Sequence, residues 1–309
     1  GFPNYPHGKI HDGYEGKRFL RELVDGVNVV RTWIYTSPKG GGSRRLANYF
    51  SFVISSIWAG LRLGRNPEFS RFDVVISSSP PLFIGLAGLA LAKYYRVPHV
   101  FDIRDIWPEL AVEAGEFEPN ATIVRWGEKL ERFLYRQADH IVVVTDRKAQ
   151  KLVDKDVPPA KLSVVANGVD LDQLDGNGFD WRAHLALEQK FVAMYAGLIG
   201  IFQGVEVIVK AAKALQSRDD IHIVIVGEGV KKAEIEAYVA KHGLTNVSIL
   251  PSQPKSQIPP MLHSFDLSLV PLVNEQLVDA VPSKLLEAMG CQCPISVSYT
   301  HLTLPTIVR

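Results

Sequence analysis

Short runs of β-branched and aromatic residues, separated by longer segments of helical period, recur along this chain and restrict its fold more than any other feature. Ile141-Val142-Val143-Val144 shows why. A strand with one face in water alternates apolar and polar residues; this run has no polar member, so both of its faces must be covered. Helices on both sides of a sheet supply that cover, and alternating strands and helices are how a chain builds it. The pattern predicts a strand over 72–79, an apolar helix opened by Ser79-Pro80-Pro81 and running to about Tyr95, and a strand over 97–103. A helix over about 123–137, a strand over 138–145, a short helix from Asp146 and a strand over 162–166 follow. Strand, helix and strand in repetition, with right-handed crossovers, make a parallel doubly wound sheet.

The second half repeats the plan. Strands are expected over 191–196, 221–226, 247–250 and 265–270, with helices over 205–216, 230–242 and 257–264 and a last helix from about Ser283. Between the halves, Asn167-Gly168-Val169-Asp170 and the polar stretch to Asp180 read as a linker, which divides the chain into domains 1–168 and 169–297. The ends depart from the pattern. Residues 1–17 read as a loop without an initiator methionine, as though a first strand preceded them, and Val27 to Tyr35 is a strand-like run. Residues 298–309, SYTHLTLPTIVR, have no helical face and read as a non-native tail. The expectation is a fragment truncated at both ends.

A hydrophobic fraction of 47% with 22% charged residues allows a sizeable core and excludes a disordered chain. The net charge of +1 is unevenly distributed: residues 1–168 carry 23 Lys/Arg against 18 Asp/Glu, and residues 169–309 carry 11 against 15. No nucleic-acid partner is expected from so small a net charge, whereas the basic first half suits an anionic membrane surface. The apolar helix Leu46 to Leu63, flanked by Arg44, Arg45, Arg62 and Arg65, would reach ~27 Å. Asn48, Ser51, Ser55 and Ser56 make it a poor spanning segment, so it reads as a buried or interfacial helix. Cys291 and Cys293 alone complete neither a disulfide framework nor a zinc site, which suits a reduced cytoplasmic compartment. The expected location is peripheral, at the inner face of the plasma membrane.

Five stretches carry candidate chemistry. Val281-Pro282-Ser283 reads as a helix start, with proline at the first helical position, so the free amides near Ser283, the helix dipole and Lys284 would together form an anion site. Glu287 follows three residues on, on the same face, where it suits vicinal hydroxyls next to a phosphate. An amphipathic helix with an ordinary Lys-Glu pair has the same spacing, and both readings stay open. Gly197, Gly200 and Gly204 carry the chain from a strand into a helix, with Gln203 beside them, and offer amides to a diphosphate; the spacing is not the Gly-x-Gly-x-x-Gly of dinucleotide folds. Gly227-Glu228-Gly229 follows a buried strand at the edge where open α/β sheets bind ligands. Arg104 and Asp105, in Phe101-Asp102-Ile103-Arg104-Asp105-Ile106-Trp107, end another strand; an Arg104 salt bridge is the structural alternative there. His7 and Lys9 stand in the opening loop, as surface turn or acceptor side. Asp170-Leu171-Asp172 imitates a metal motif but lies in the linker, and no metal is expected.

Pro282-Ser283-Lys284-Leu285-Leu286-Glu287 resembles the donor-site signature of the retaining family 4 glycosyltransferases, in their bacterial surface-polysaccharide and O-antigen branch. Glu287 matches the second of that family's two glutamates and Asp279 stands at the first, without the Gly-x-Gly between them. Leu198 and Gln203 occupy positions where the family has arginine and lysine, and Arg104 replaces a histidine before Asp105. The resemblance implies the GT-B fold, two Rossmann-like domains facing a cleft. It implies transfer of a hexosyl or N-acetylhexosaminyl group from a nucleoside-diphosphate sugar to a lipid-linked saccharide, without metal or other cofactor. Lys284 and the amides of Gly197 to Gly200 would hold the leaving diphosphate, Glu287 the ribose, and Asp105 would face the acceptor. An epimerase on the same plan and a non-catalytic nucleotide-binding subunit are the rival readings.

Overall fold

The computed structural model describes residues 1–4, 9–37, 42–65, 71–113, 117–176, 178–201, 203–271 and 281–297. The chain divides into two compact units, Gly1–Ala166 and Asn167–Arg309. The first opens with β1 (Phe19–Val24) and β2 (Val27–Thr32), an antiparallel hairpin, followed by α1 (Gly42–Leu63). Then come β3 (Val75–Ser79), α2 (Ile84–Tyr95), β4 (His99–Ile103), α3 (Glu109–Glu113), α4 (Thr122–Gln137), β5 (His140–Val143), α5 (Asp146–Asp154) and β6 (Leu162–Val164). β3, β4, β5 and β6 form a parallel sheet in that order. Phe101 and Ile103 of β4, Ile141 and Val143 of β5, Leu134 of α4 and Leu152 of α5 are all buried, and together they form the core of this unit.

Two sequence expectations need correction here. The hairpin was expected only as one strand over 27–35, yet β1 precedes it and β2 stops at Thr32. Asp25-Gly26 makes the turn, both residues at positive φ (49° and 79°), which is the conformation two-residue hairpin turns demand. Ser79-Pro80-Pro81 does not open α2; the prolines lie in the turn and the helix begins at Ile84.

The second unit contains α6 (Trp181–His184), β7 (Phe191–Ala196), α7 (Val205–Ala214), β8 (Ile221–Val226), α8 (Lys232–His242), β9 (Val247–Leu250), α9 (Ile258–Ser264), β10 (Leu267–Val270), α10 (Ser283–Gly290) and β11 (Ile295–Val297). Its parallel sheet runs β11-β10-β7-β8-β9. Val192 and Met194 of β7 pack into one buried layer and Ala193 and Tyr195 into another, as a strand of period two covered on both faces requires. The chain leaves β7 toward β8 and β9, then returns to build β10 and β11 on the other side. The order therefore reverses between β7 and β10, and ligands of open α/β sheets bind outside the carboxyl ends of the strands at that reversal.

Candidate functional site

Two segments meet at the reversal point: the glycine loop after β7, and α10, which follows β10. α10 is amphipathic, with Leu285, Leu286 and Ala288 buried, so Lys284 is carried on the half-buried flank. Lys284 Nζ donates to Tyr195 Oη at 2.9 Å and lies 4.0 Å above the ring centroid. Tyr195 Oη in turn donates to the Leu198 carbonyl at 2.6 Å. A Cβ on Gly197 would stand 2.9 Å from Lys284 Nζ, so the ammonium lies directly against the glycine loop. Burial lowers the Lys284 pKa to about 8, against the opposing pull of Glu287. The sequence left an ordinary Lys-Glu surface pair open; the ammonium instead points at the loop expected to meet the diphosphate.

The loop is narrower as an anion cradle than its glycines suggested. Gly197 N donates to the Val226 carbonyl at 2.9 Å and Ile199 N to the Glu228 carbonyl at 2.8 Å. Those two amides are spent on joining the loop after β7 to the loop after β8, a correction to the expectation that Gly197 to Gly200 present their amides together. The same close approach explains Gly227 and Gly229: at φ of 154° and 155°, any Cβ would overlap the carbonyl oxygens of Gly197 and Ile199. Glu228 is ion-paired to Lys232 at 2.6 Å, one turn along the chain. Gln203 turns back over Gly200, where a Cβ would lie 2.6 Å from its Oε1, and that buried oxygen accepts no hydrogen bond from the described residues.

Ser283 and Glu287 line a cavity of about 560 Å³ shared with residues 168–170 and 172–175 and with Lys255, Ser256, Ile258, Pro259 and Leu262. Pro282 is the residue before the helix, extended at ψ 135°, not its first helical member, so Ser283 carries the first amide. α10 thus sends Lys284 to the glycine loop and Glu287 to the adjoining cavity. Asp170, part of the apparent metal motif, caps a turn by accepting from Asp172 N at 3.1 Å and Gln173 Nε2 at 2.8 Å. Asp279 and His7 lie outside the described residues.

In the first unit, Asp105 is fastened by Lys148, whose buried Nζ lies 3.3 Å from Asp105 Oδ1 and also donates to the Arg104 carbonyl. The Arg104 guanidinium reaches Asp102 at 4.0 Å and is half exposed. The salt bridge weighed for Arg104 is therefore present, to Asp102, while the buried cation of this corner is Lys148, which the sequence reading did not single out. Its signal is weak: one lysine in the first turn of α5, indistinguishable from a solvated one until the fold sets it under β4. Tyr195 was missed for the opposite reason, since an aromatic inside a strand reads as core. Lys9 is exposed in the opening loop.

The sequence model of the Glycosyl transferase 4-like domain family matches residues 10–168, and that of Glycosyl transferases group 1 matches residues 179–309. The chain is 26% identical to the putative colanic acid biosynthesis glycosyl transferase WcaI of Escherichia coli K12, over 97% of this chain and 75% of that protein. It is 28% identical to the D-inositol 3-phosphate glycosyltransferase of Salinispora tropica over 58% of this chain, and spans only 39% of that protein's length. Among solved structures, Anabaena Alr3699/HepE in complex with UDP superposes with a TM-score of 0.62 at 15% identity, covering 81% of this chain and 64% of that one. Sucrose-phosphate synthase of Thermosynechococcus elongatus gives 0.66 at 15%, covering 92% and 68%. These likenesses show the fold, and the two family matches show the membership: the chain belongs to the family 4 glycosyltransferases of the GT-B fold, a glycosyl transferase 4-like domain followed by a group 1 domain.

Proposed function

We propose that the protein transfers a sugar, with retention, from a nucleoside diphosphate to a lipid-linked saccharide during assembly of a surface polysaccharide. The observation that carries this reading is Lys284, a half-buried ammonium held against a glycine loop at the strand-order reversal of the second sheet. A cation in that position stabilises charge as it develops on a departing diphosphate, and it does so more strongly where water is partly excluded. Glu287 and Ser283, one turn apart on the rim of the adjoining cavity, suit ribose hydroxyls. The anomeric carbon–phosphate oxygen bond breaks while the acceptor oxygen bonds to the same face, and the departing phosphate oxygen takes the acceptor proton. No step requires a metal. Asp105, held by Lys148, would orient the acceptor hydroxyl. The E. coli relative is described as a colanic acid biosynthesis enzyme and the Anabaena structure holds UDP, which supports the polysaccharide product and the donor class.

A lipid-linked acceptor calls for attachment to the inner membrane surface. Among the described residues no helix is long and apolar enough to cross a membrane. α1 instead exposes Phe50, Ile54 (67%) and Trp58 at helical spacing, with the Arg62 guanidinium 5.3 Å from the Trp58 ring centroid. That ridge suits the interface.

Calorimetric titration of UDP and UDP-sugars into the wild type, Lys284→Ala and Glu287→Gln tests the donor site. Losing a charge-assisted contact of ~1.5–3 kcal/mol should weaken binding by about tenfold to a hundredfold in the lysine variant. Glu287→Gln should also bind less tightly while melting like the wild type. Wild-type affinity in both variants would sink the assignment.

A further inference from the structure

We propose that the outer face of α4 docks onto anionic lipid headgroups, as a membrane contact separate from α1. Arg125, Lys129, Arg132 and Arg136 recur at intervals of four, three and four residues. At ~100° per residue they fall within about 60° of arc, a single row of cations ~16 Å long. Trp126 (68% exposed) and Phe133 (45%) stand seven residues apart immediately beside that row, and a shallow concavity of about 450 Å³ runs along Lys129, Arg132, Phe133 and Arg136. The opposite face of the helix is anchored in the core by Val124, Leu134 and Tyr135, so the row cannot turn inward. Glu128, 3.8 Å from Arg132, is the only acid on the outer side of this helix, because Glu131 is buried and paired with Lys155 at 2.9 Å. Further positive charge gathers at the carboxyl end: Lys93 Nζ donates to Gln137 Oε1 at 3.0 Å, and Lys161 Nζ to the Tyr135 and Arg136 carbonyls at 2.9 Å.

The occupant follows from the chemistry. A row of cations alone would suit any polyanion, but a Trp and a Phe exposed alongside it need an apolar layer next to the charged one. A bilayer interface offers both, headgroup phosphates outside and acyl chains a few ångströms below. A nucleic-acid duplex offers phosphates without the apolar layer, and a second copy of this face would oppose like charges. The proposal relies on the lipid-acceptor reading for its purpose, not for its geometry. α1 packs along α2, and α2 along α4, so both candidate contacts belong to the same unit.

The test is co-sedimentation of the full chain with vesicles of phosphatidylcholine, alone or mixed with phosphatidylglycerol, beside a duplex DNA gel shift. Lys129→Gln, Arg132→Gln and Arg136→Gln combined should lower partitioning onto the anionic vesicles by roughly a hundredfold, since each surface cation near such a membrane contributes about fivefold. Arg125→Lys, Arg132→Lys and Arg136→Lys combined should bind as the wild type does. Trp126→Ser with Phe133→Ser should make the remaining binding fully salt-sensitive. Lys210→Gln, Lys213→Gln and Lys241→Gln, on the second unit, should change nothing. A glutamine triple that partitions like the wild type, an equal loss in the control triple, or wild-type binding to DNA as tight as to vesicles would each overturn the proposal. UDP titration of the wild type keeps the two readings apart: no UDP binding with intact vesicle binding counts against the donor site alone.

Discussion

Lys284 carries opposite consequences for stability and for binding. Its pKa in the folded chain is about 8, below the 10.5 of an exposed lysine, so the folded state releases the proton first as pH rises. Below pH 8 both states are protonated and burying the ammonium costs stability; between about 8 and 10.5 the unfolded chain binds more protons, so stability rises with pH. Lys284→Met should therefore be at least as stable as the wild type at pH 7 and lose that advantage by pH 10.5, which denaturant unfolding at several pH values would measure. UDP binding should run the other way, weakening in the wild type as pH rises through and beyond 8, with bound phosphate moving the midpoint upward. In Lys284→Met that part of the pH dependence should be absent. Gly227 makes a different kind of prediction. Gly227→Ala would press a methyl into the Gly197 carbonyl, so it should destabilise by about 1–3 kcal/mol and weaken UDP binding together, where Lys284→Met weakens binding alone.

At the scale of the element, α1 and the β7–α7 loop show what periodicity can and cannot carry. The apolar run from Leu46 was legible as a helix because its length and spacing admit little else, and the structure extends it back to Gly42. Whether that helix meets lipid depends on Phe50, Ile54 and Trp58 staying exposed, which is a packing outcome. Replacing Arg44, Arg45, Arg62 and Arg65 with Gln should weaken sedimentation with anionic vesicles, each cation near the surface being worth about 1 kcal/mol. Unchanged sedimentation would remove α1 from the interface. The loop after β7 was legible as a glycine-rich turn in a ligand-binding position. That Gly197 and Ile199 spend their amides on the neighbouring loop was not, since hydrogen bonds between segments some thirty residues apart leave no mark on local spacing.

Across the whole molecule, two units with separate cores predict separable damage. Leu134 is fully buried among Phe101, Ile141 and Leu152 of the first unit. Leu134→Ala should destabilise that unit by about 2–5 kcal/mol. UDP affinity, read below the melting transition, should stay at the wild-type value because Lys284, Glu287 and the glycine loop belong to the second unit. An affinity loss as large as that of Lys284→Ala would mean that the donor site depends on the first unit's core.

Wholly apolar runs such as Ile141 to Val144 and Ile223 to Val226 were sufficient to predict two parallel sheets with helices on both faces, because a strand without polar residues can survive only if covered. Pro282 to Glu287 marked the start of α10 for a similar reason, as a local pattern with few alternatives. The direction each side chain takes was decided by tertiary structure alone. Strand order sets α10 beside the glycine loop, which turns Lys284 toward Tyr195 and leaves Glu287 to the cavity; the burial of α5 makes Lys148, not Arg104, the cation that holds Asp105. Local spacing specifies which residues share a helix face. Only packing between distant segments specifies what that face meets, and desolvation at that meeting is what lowers the Lys284 pKa.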